Sequence, residues 1–420
     1  MSKIYRKSRE YIHTRQRKLL KHKILRKSRM YNPERIRVTI KKNNILNVPM
    51  EISLLHIKSN LKNEFVLPNS FSITNNPKET IETINEIADC FFRSKDLDIT
   101  INCGDTIDMD LSALVLLDIV IVKGTKYLNK IGYKCLINGE LPKDLSTKEL
   151  FIYSGLPRHL NLLDTNKNEK VELLDPFQTI DDTNRETHRI IEYYNNCLRR
   201  NGYELNDKGK VFFYNLINEI VDNARIHNGY KDKFYCSGFY SDGTKKGQLS
   251  IISFGKTIYE SLNSESTSEK IKNKINDYVE CQKSFFDIGY NEEISWTVYA
   301  LQYKISRFNN TDMPDRGTGT IRFMESFMEM GQSNNLIPLM SLTSGNTHIF
   351  FDGTYTLKEE SVNGIPVKII AFNKLNDLKE KPDPNYVKDI HIKFPGVIIN
   401  VEFYVDRDNL VRFKDGDENG

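Results

Sequence analysis

The apolar positions of this 420-residue chain fall into two patterned regions separated by a polar stretch. Between residues 44 and 163, short apolar runs alternate with longer ones at helical spacing. Residues 98–102 and 133–138 read as strands, and residues 111–127 and 147–154 as helices. Such alternation predicts a small α/β domain over 44–165. Residues 164–170 are polar and aperiodic, so a linker over 166–181 is expected, with the boundary near Asn166.

Beyond the linker, residues 182–200 read as a helix and 208–227 as a stronger one. In the latter Phe213, Leu216, Ile217, Ile220, Val221 and Ala224 share a side that should pack on a sheet, while Asn215, Glu219 and Asn223 stripe another. Strands follow at 234–240 and 248–254. Charged and polar residues then dominate to Asp315, apart from a helix carrying Trp296, Tyr299 and Tyr303. Two short strands, 339–342 and 348–351, flank a turn at Ser344-Gly345-Asn346-Thr347. A last strand, led by Phe394-Pro395-Gly396, alternates through Val397, Ile399, Val401 and Phe403. The whole predicts an α+β chain, its second domain spanning 182–408 and an acidic tail covering 409–420.

Composition adds limits. At 39% hydrophobic residues the chain can bury two cores. Its longest apolar run, 111–122, is too short to span a bilayer and contains Asp118, so no membrane partner is expected. The basic start lacks the apolar core of a secretory signal, which points to a cytoplasmic location. Six scattered cysteines without a CxxC pair or a Cys/His cluster argue against a zinc site or a disulfide framework. The net charge of +4 conceals an asymmetry: residues 1–42 carry 16 Lys and Arg against Glu10 and Glu34, or +14, leaving −10 for the rest. The arm, 1–43, with Tyr5, Tyr11 and Tyr31 interleaved, suits the phosphates and bases of RNA or DNA. An acidic protein surface and a merely solvated tail stay open.

Residues four apart on a helix project together, so Glu219 and Asn223 would reach one small volume. An amide oxygen can complete the shell of Mg²⁺, and a carboxylate beside it can take a proton from attacking water. Glu219-Ile-Val-Asp-Asn223-Ala resembles the N box of the GHKL (gyrase, heat-shock chaperone, histidine kinase, mismatch-repair) ATPases. Phe254-Gly255-Lys256-Thr257 resembles the first glycine motif of that family, with Ser253 where the family has an adenine-reading Asp and Thr257 at its second glycine. Arg316-Gly317-Thr318-Gly319 resembles the second glycine motif, in which backbone N–H groups meet phosphates at a helix start. Ser344 to Thr347 resembles the closing turn. The resemblance covers about residues 180–405 and implies a two-layer Bergerat-type α/β sandwich. It further implies ATP and Mg²⁺ as cofactors, Glu219 as catalytic base, Asn223 as metal ligand, and Ser253, Gly255, Arg316, Gly317, Thr318, Gly319 and Thr347 around the nucleotide.

Residues 96–160 resemble a STAS domain, the sulfate-transporter and anti-sigma-antagonist module. Asp110-Leu111-Ser112-Ala113-Leu114 lies at the turn whose second serine is phosphorylated in that family. Ser112 as phosphoacceptor and Asp110 as a plain helix cap are both open readings. A protein partner is expected through this domain, and a homodimer stays open. His188 lacks the His-Glu pair of a phosphotransfer helix and reads as an ordinary helix residue. Three functions follow: a nucleotide-gated switch with slow hydrolysis, an anti-sigma-like serine kinase, or a scaffold that has lost its adenine site.

Overall fold

The computed structural model describes residues 49–56, 60–94, 96–162, 183–227, 234–283, 291–302, 319–330, 336–362 and 365–413. The basic arm, the linker and most of the acidic tail therefore lie outside the described residues.

The first unit contains α1 (Met50–Leu55), β1 (Glu64–Val66), β2 (Ser70–Phe71), α2 (Pro77–Arg93), β3 (Leu97–Asn102), β4 (Asp108–Met109), α3 (Leu111–Lys130), β5 (Cys135–Glu140) and α4 (Leu145–Tyr153). Strands β1, β3 and β5 form a parallel sheet in that order, and β2 pairs with β4 in a second parallel pair. On β3, Leu97, Ile99 and Ile101 point inward while Asp98 is exposed, the period-2 pattern of a strand covered on one face.

The second unit begins with α5 (Thr183–Arg199), β6 (Tyr203–Leu205) and α6 (Asp207–His227), then strands β7 (Phe234–Tyr240) and β8 (Lys246–Phe254). Three helices follow: α7 (Ile258–Leu262), α8 (Glu269–Lys283) and α9 (Glu292–Ala300), with a small core of their own around Ile275, Tyr278 and Trp296. Helix α10 (Gly319–Glu329) leads to β9 (Leu339–Phe351), the hairpin β10 (Lys358–Val362) and β11 (Ile365–Ile369), the long β12 (Val387–Tyr404) and β13 (Leu410–Arg412). The main sheet is antiparallel in the order β7-β8-β12-β9. The chain is thus of mixed α/β class, its two largest sheets among the described residues being a three-stranded parallel one and a four-stranded antiparallel one.

Two expectations need correcting. The turn at Ser344–Thr347 is no turn: β9 runs continuously through it. Gly345, at φ 58°, absorbs a bulge, and the partner register slips between Asp389, Phe394 and Val397. Likewise the chain past residue 408 is not all tail, because β13 pairs with β6.

The front face of the main sheet is covered by α5, α6 and α10, whose Ile190, Tyr194, Phe213, Ile217, Phe323 and Phe327 share one core with Cys236, Ile251, Met340, Val401 and Phe403. Its back face is covered by the first unit. Tyr235, Phe239, Ile252, Phe254, Phe394 and Ile398 belong to the same core as α2 and α3. Helix α3 explains itself on this basis: it is buried nearly all round because it lies between two sheets, and a helix apolar on every side has no face to give to water. The layers run helices, antiparallel sheet, helices, parallel sheet.

Polar side chains set the register of this contact. Asp110 caps α3, its Oδ1 accepting from Ala113 N at 2.8 Å and its Oδ2 from Ser72 Oγ and Thr74 N, both at 2.8 Å. Ser112 Oγ lies 2.8 Å from Ser250 Oγ and 3.0 Å from Asn400 Oδ1; Asn400 Nδ2 donates to Thr74 Oγ1, which also meets Ser341 Oγ. His348 bridges Thr343 Oγ1 and Thr74 O.

Burial pushes the Asp110 carboxyl up to about 6, against the pull of its three hydrogen bonds, and holds the His348 imidazole down at about 4. The two act oppositely on stability. Asp110 favours folding below its ordinary 3.8 and loses that contribution as pH rises through about 6. Neutral His348 favours folding above its ordinary 6.5 and loses that contribution as pH falls toward about 4. Asp110→Asn is therefore expected to leave the histidine slope unopposed. Its urea midpoint should climb more steeply from about pH 4 to about pH 6 than the wild-type midpoint does. Parallel profiles for the two proteins would count against this assignment.

Candidate functional site

Helix α6 lays Phe213, Leu216, Ile217, Ile220, Val221 and Ala224 in the front core, as their spacing predicts. That orientation brings Glu219 and Asn223 to its half-buried flank, where Asn223 Nδ2 donates to Glu219 Oε1 at 2.9 Å. Burial raises the Glu219 carboxyl above its usual range; the Asn223 hydrogen bond and the Arg322 charge pull it down, and Asp222 adds to the rise. Arg322 belongs to the first turn of α10, which packs on α6. The charge of a residue one turn into the helix opened by Gly319 thus reaches the Glu219 carboxyl. Arg316, Gly317 and Thr318 lie outside the described residues.

Side-chain alternation identifies what faces these helices across the sheet. Leu249 and Ile251 of β8 lie in the front core, so Ser253, two residues on, faces front, whereas Ser250 bonds Ser112 on the back. Ser253 pairs with Val397 and Val397 with Ser344, making one front-facing row across β8, β12 and β9. The bulge at Gly345 then inverts β9: Met340 and Leu342 face front before it, Ile349 and Phe351 after it. Thr347 consequently faces front and His348 back.

The ends of these strands are closely crossed. Gly255, at φ 141°, leaves the sheet with its N–H donating to Pro395 O at 2.9 Å. Gly396, at φ 150°, lies opposite Phe254, and a Cβ on it would stand 1.9 Å from Ser253 O. After Gly255 the chain enters α7 through a capping box, Thr257 Oγ1 accepting from Glu260 N and Glu260 Oε2 accepting from Thr257 N. Ser344 Oγ accepts from Ile258 N at 2.8 Å, tying this exit to the bulge of β9.

One residue that no motif flags joins this end. Glu293, in the first turn of α9, is buried over Gly345, and burial raises its carboxyl. From sequence it is one of two acids just after the cap Asn291, a pattern usual for a solvated helix start.

The structure therefore collects Glu219, Asn223, Ser253, Gly255, Gly319 and Thr347 on or beside one face of one sheet. It puts Ser112 on the opposite face, fully buried and bonded to Ser250 and Asn400. His188 is exposed on α5, its ring 5.3 Å from Tyr214.

Asn223, having given its amide N–H to Glu219, offers its carbonyl oxygen as a ligand. That donor type suits Mg²⁺, which binds through one or two protein oxygens with phosphate and water supplying the rest. No group of three or more His, Cys, Asp or Glu placed to hold a metal occurs among the described residues. Nor is any described helix long and apolar enough to cross a membrane. No protein-family model matches the chain, and no curated protein or solved structure matches it.

The crossing at Gly396 sets a mechanical test. Gly396→Ala must move backbone, so a loss of about 3 kcal/mol or more is expected. Gly353→Ala, at φ 82° with open space around it, should cost only about 1–2 kcal/mol. Chemical denaturation of the two variants measures the difference, and equal losses would refute the close crossing.

Proposed function

We propose that the chain is a nucleotide-gated switch in which a GHKL-type module takes ATP with Mg²⁺ on the front of β8-β12-β9, with the STAS-like unit docked on the back. The supporting observation is the convergence on that one face of Glu219 and Asn223, the start of α10 and the row Ser253–Val397–Ser344. These come from five separate stretches of sequence.

In this reading the helix start at Gly319 offers unpaired N–H groups to phosphate. Asn223 holds the cation through its amide oxygen, and Mg²⁺ when bound neutralises charge on the phosphates. Glu219, raised by burial yet hydrogen-bonded by Asn223, accepts the proton of an attacking water. Strands β8 and β9 give the switch its output path. Ser253 and Thr347 face the nucleotide side, while Ser250 and His348, close neighbours on the same strands, hold the first unit.

The alternative of a serine kinase acting on Ser112 within the same chain requires α3 to leave the sheet first, since Ser112 is fully buried in that contact. The switch requires no such step and is the reading we favour.

Incubation of the full chain with Mg²⁺ and γ-labelled ATP tests this, with free phosphate and protein-bound label both counted. Phosphate release is expected without label on protein, and Glu219→Gln should slow release about 100-fold or more while still binding ATP. Asn223→Ala should lose the Mg²⁺ dependence of binding. Wild-type protein that binds no nucleotide would end the proposal, and label that disappears in Ser112→Ala would replace it with the kinase.

A further inference from the structure

The parallel sheet is the last layer of the described residues, and its outer face is open. On β1, β3 and β5 the side chains of Phe65, Ile99 and Ile137 turn inward and are buried, while Val66 and Leu136 turn outward and are 60% and 44% exposed. None of the outward residues on these three strands is buried. Sheets made wholly of parallel strands occur almost only with both faces covered. Helices α2 and α3 cover the inner face, so among the described residues the outer one lacks its cover.

That face is acidic. Each strand brings one exposed acid to it, Glu64 on β1, Asp98 on β3 and Glu140 on β5. Strand spacing and register put the three about 8–14 Å apart. Amides of Asn102 and Asn138 donate to Glu64 and Asp98, at 3.2 and 3.5 Å. Lys143, whose charge reaches Glu140, gives its ammonium to Asp105 at 2.8 Å. A cover for this face is therefore cationic, with some apolar side chains to meet Val66 and Leu136. The same face of a second copy brings three more acids, and like charges set against each other oppose association.

We propose that the outer face of the parallel sheet is the docking surface of the chain's own basic arm, through residues 15–29. This segment holds eight Lys and Arg and no acid, with Leu19, Leu20, Ile24 and Leu25 among them. Both its sign and its apolar content match what the face lacks. Its reach is sufficient. Residues 30–48, which join it to α1, span up to about 60 Å, and β1 begins at most about 40 Å from the start of α1, 14 residues further on. Exposed charge pairs are individually weak, but a tether holds the arm at an effective concentration on the order of millimolar. Seated there, the cations of 15–29 are occupied by the chain itself, and a nucleic acid binds them only by displacing the arm from the sheet. The docking lies at the opposite end of the layers from the nucleotide face and does not depend on it.

Limited trypsin digestion of the full chain tests the docking, because trypsin cuts after the same Lys and Arg that the face holds. Cleavage within 15–29 is measured against cleavage after Lys379, in an exposed loop. At about 0.05 M salt it should be slow, and at about 0.5 M, where charge pairs are screened, about tenfold faster or more. Glu64→Gln, Asp98→Asn and Glu140→Gln combined should give the same rise at low salt. Glu82→Gln, Glu265→Gln and Glu359→Gln combined remove equal charge from exposed positions elsewhere and should give none. Thermal midpoints confirm that both triple variants fold. Photo-reactive p-benzoylphenylalanine in place of Thr100, on the central strand of the face, should also join to residues 15–29 of the same chain. Cleavage that the face variant leaves unchanged, or that rises equally in both triple variants, would overturn the docking. So would photo-products without the arm, or only at the mass of two joined chains, which give the face to a second copy.

Discussion

Helix α3 is the member on which the rest of the molecule rests. Buried between the parallel sheet of the first unit and the antiparallel sheet of the second, it contributes Leu111, Leu114, Leu117, Val120 and Ile121 to a single core that reaches Phe254 and Phe394. Apolar packing of this kind is strong but does not fix direction. Direction comes from the capped first turn, where Asp110 gathers three hydrogen bonds and Ser112 engages Ser250 and Asn400 on two different strands. A polar network among buried groups is costly unless every member is paired, and that cost penalises any other register.

The arrangement makes the main sheet a shared wall. Its front carries the candidate chemistry and its back carries the first unit, with residues of opposite duty alternating along the same strands. Ser250 and Ser253 are three apart on β8, and Thr347 and His348 are adjacent on β9. A shift of a strand on one side is therefore a shift on the other. Close packing transmits such displacements because there is no slack to absorb them.

Much of this was legible from spacing alone. The helix bearing Glu219 and Asn223 could be placed because its apolar residues recur at helical period, and β3, β5, β7, β8 and the second half of β12 could be placed by their own patterns, whereas β1 was missed and β9 was read as two strands. The apolar run at 111–122 was visible too, as part of a helix over 111–127 and as too short for a membrane. Burial of that helix on both sides was not read from it, because a local run cannot say what the second covering surface is. Ser112 shows the same limit. Its position in the first turn was correct from sequence, whereas its availability depended on which sheet α3 met.

The sequence by itself determined the longer elements it could be read for, such as α3, α5, α6, β7 and β8, together with their order and the chemical stripe on α6, since these depend on residues close together in the chain. Tertiary structure alone decided three things. The bulge at Gly345 turned a presumed turn into one strand and set Thr347 facing front. The docking of α3 withdrew Ser112 from solvent. Burial of Glu293 beside that bulge gave an otherwise ordinary first-turn acid an unpaired oxygen. In each case the deciding contact joins residues far apart in sequence, and neither side's local pattern contains information about its partner.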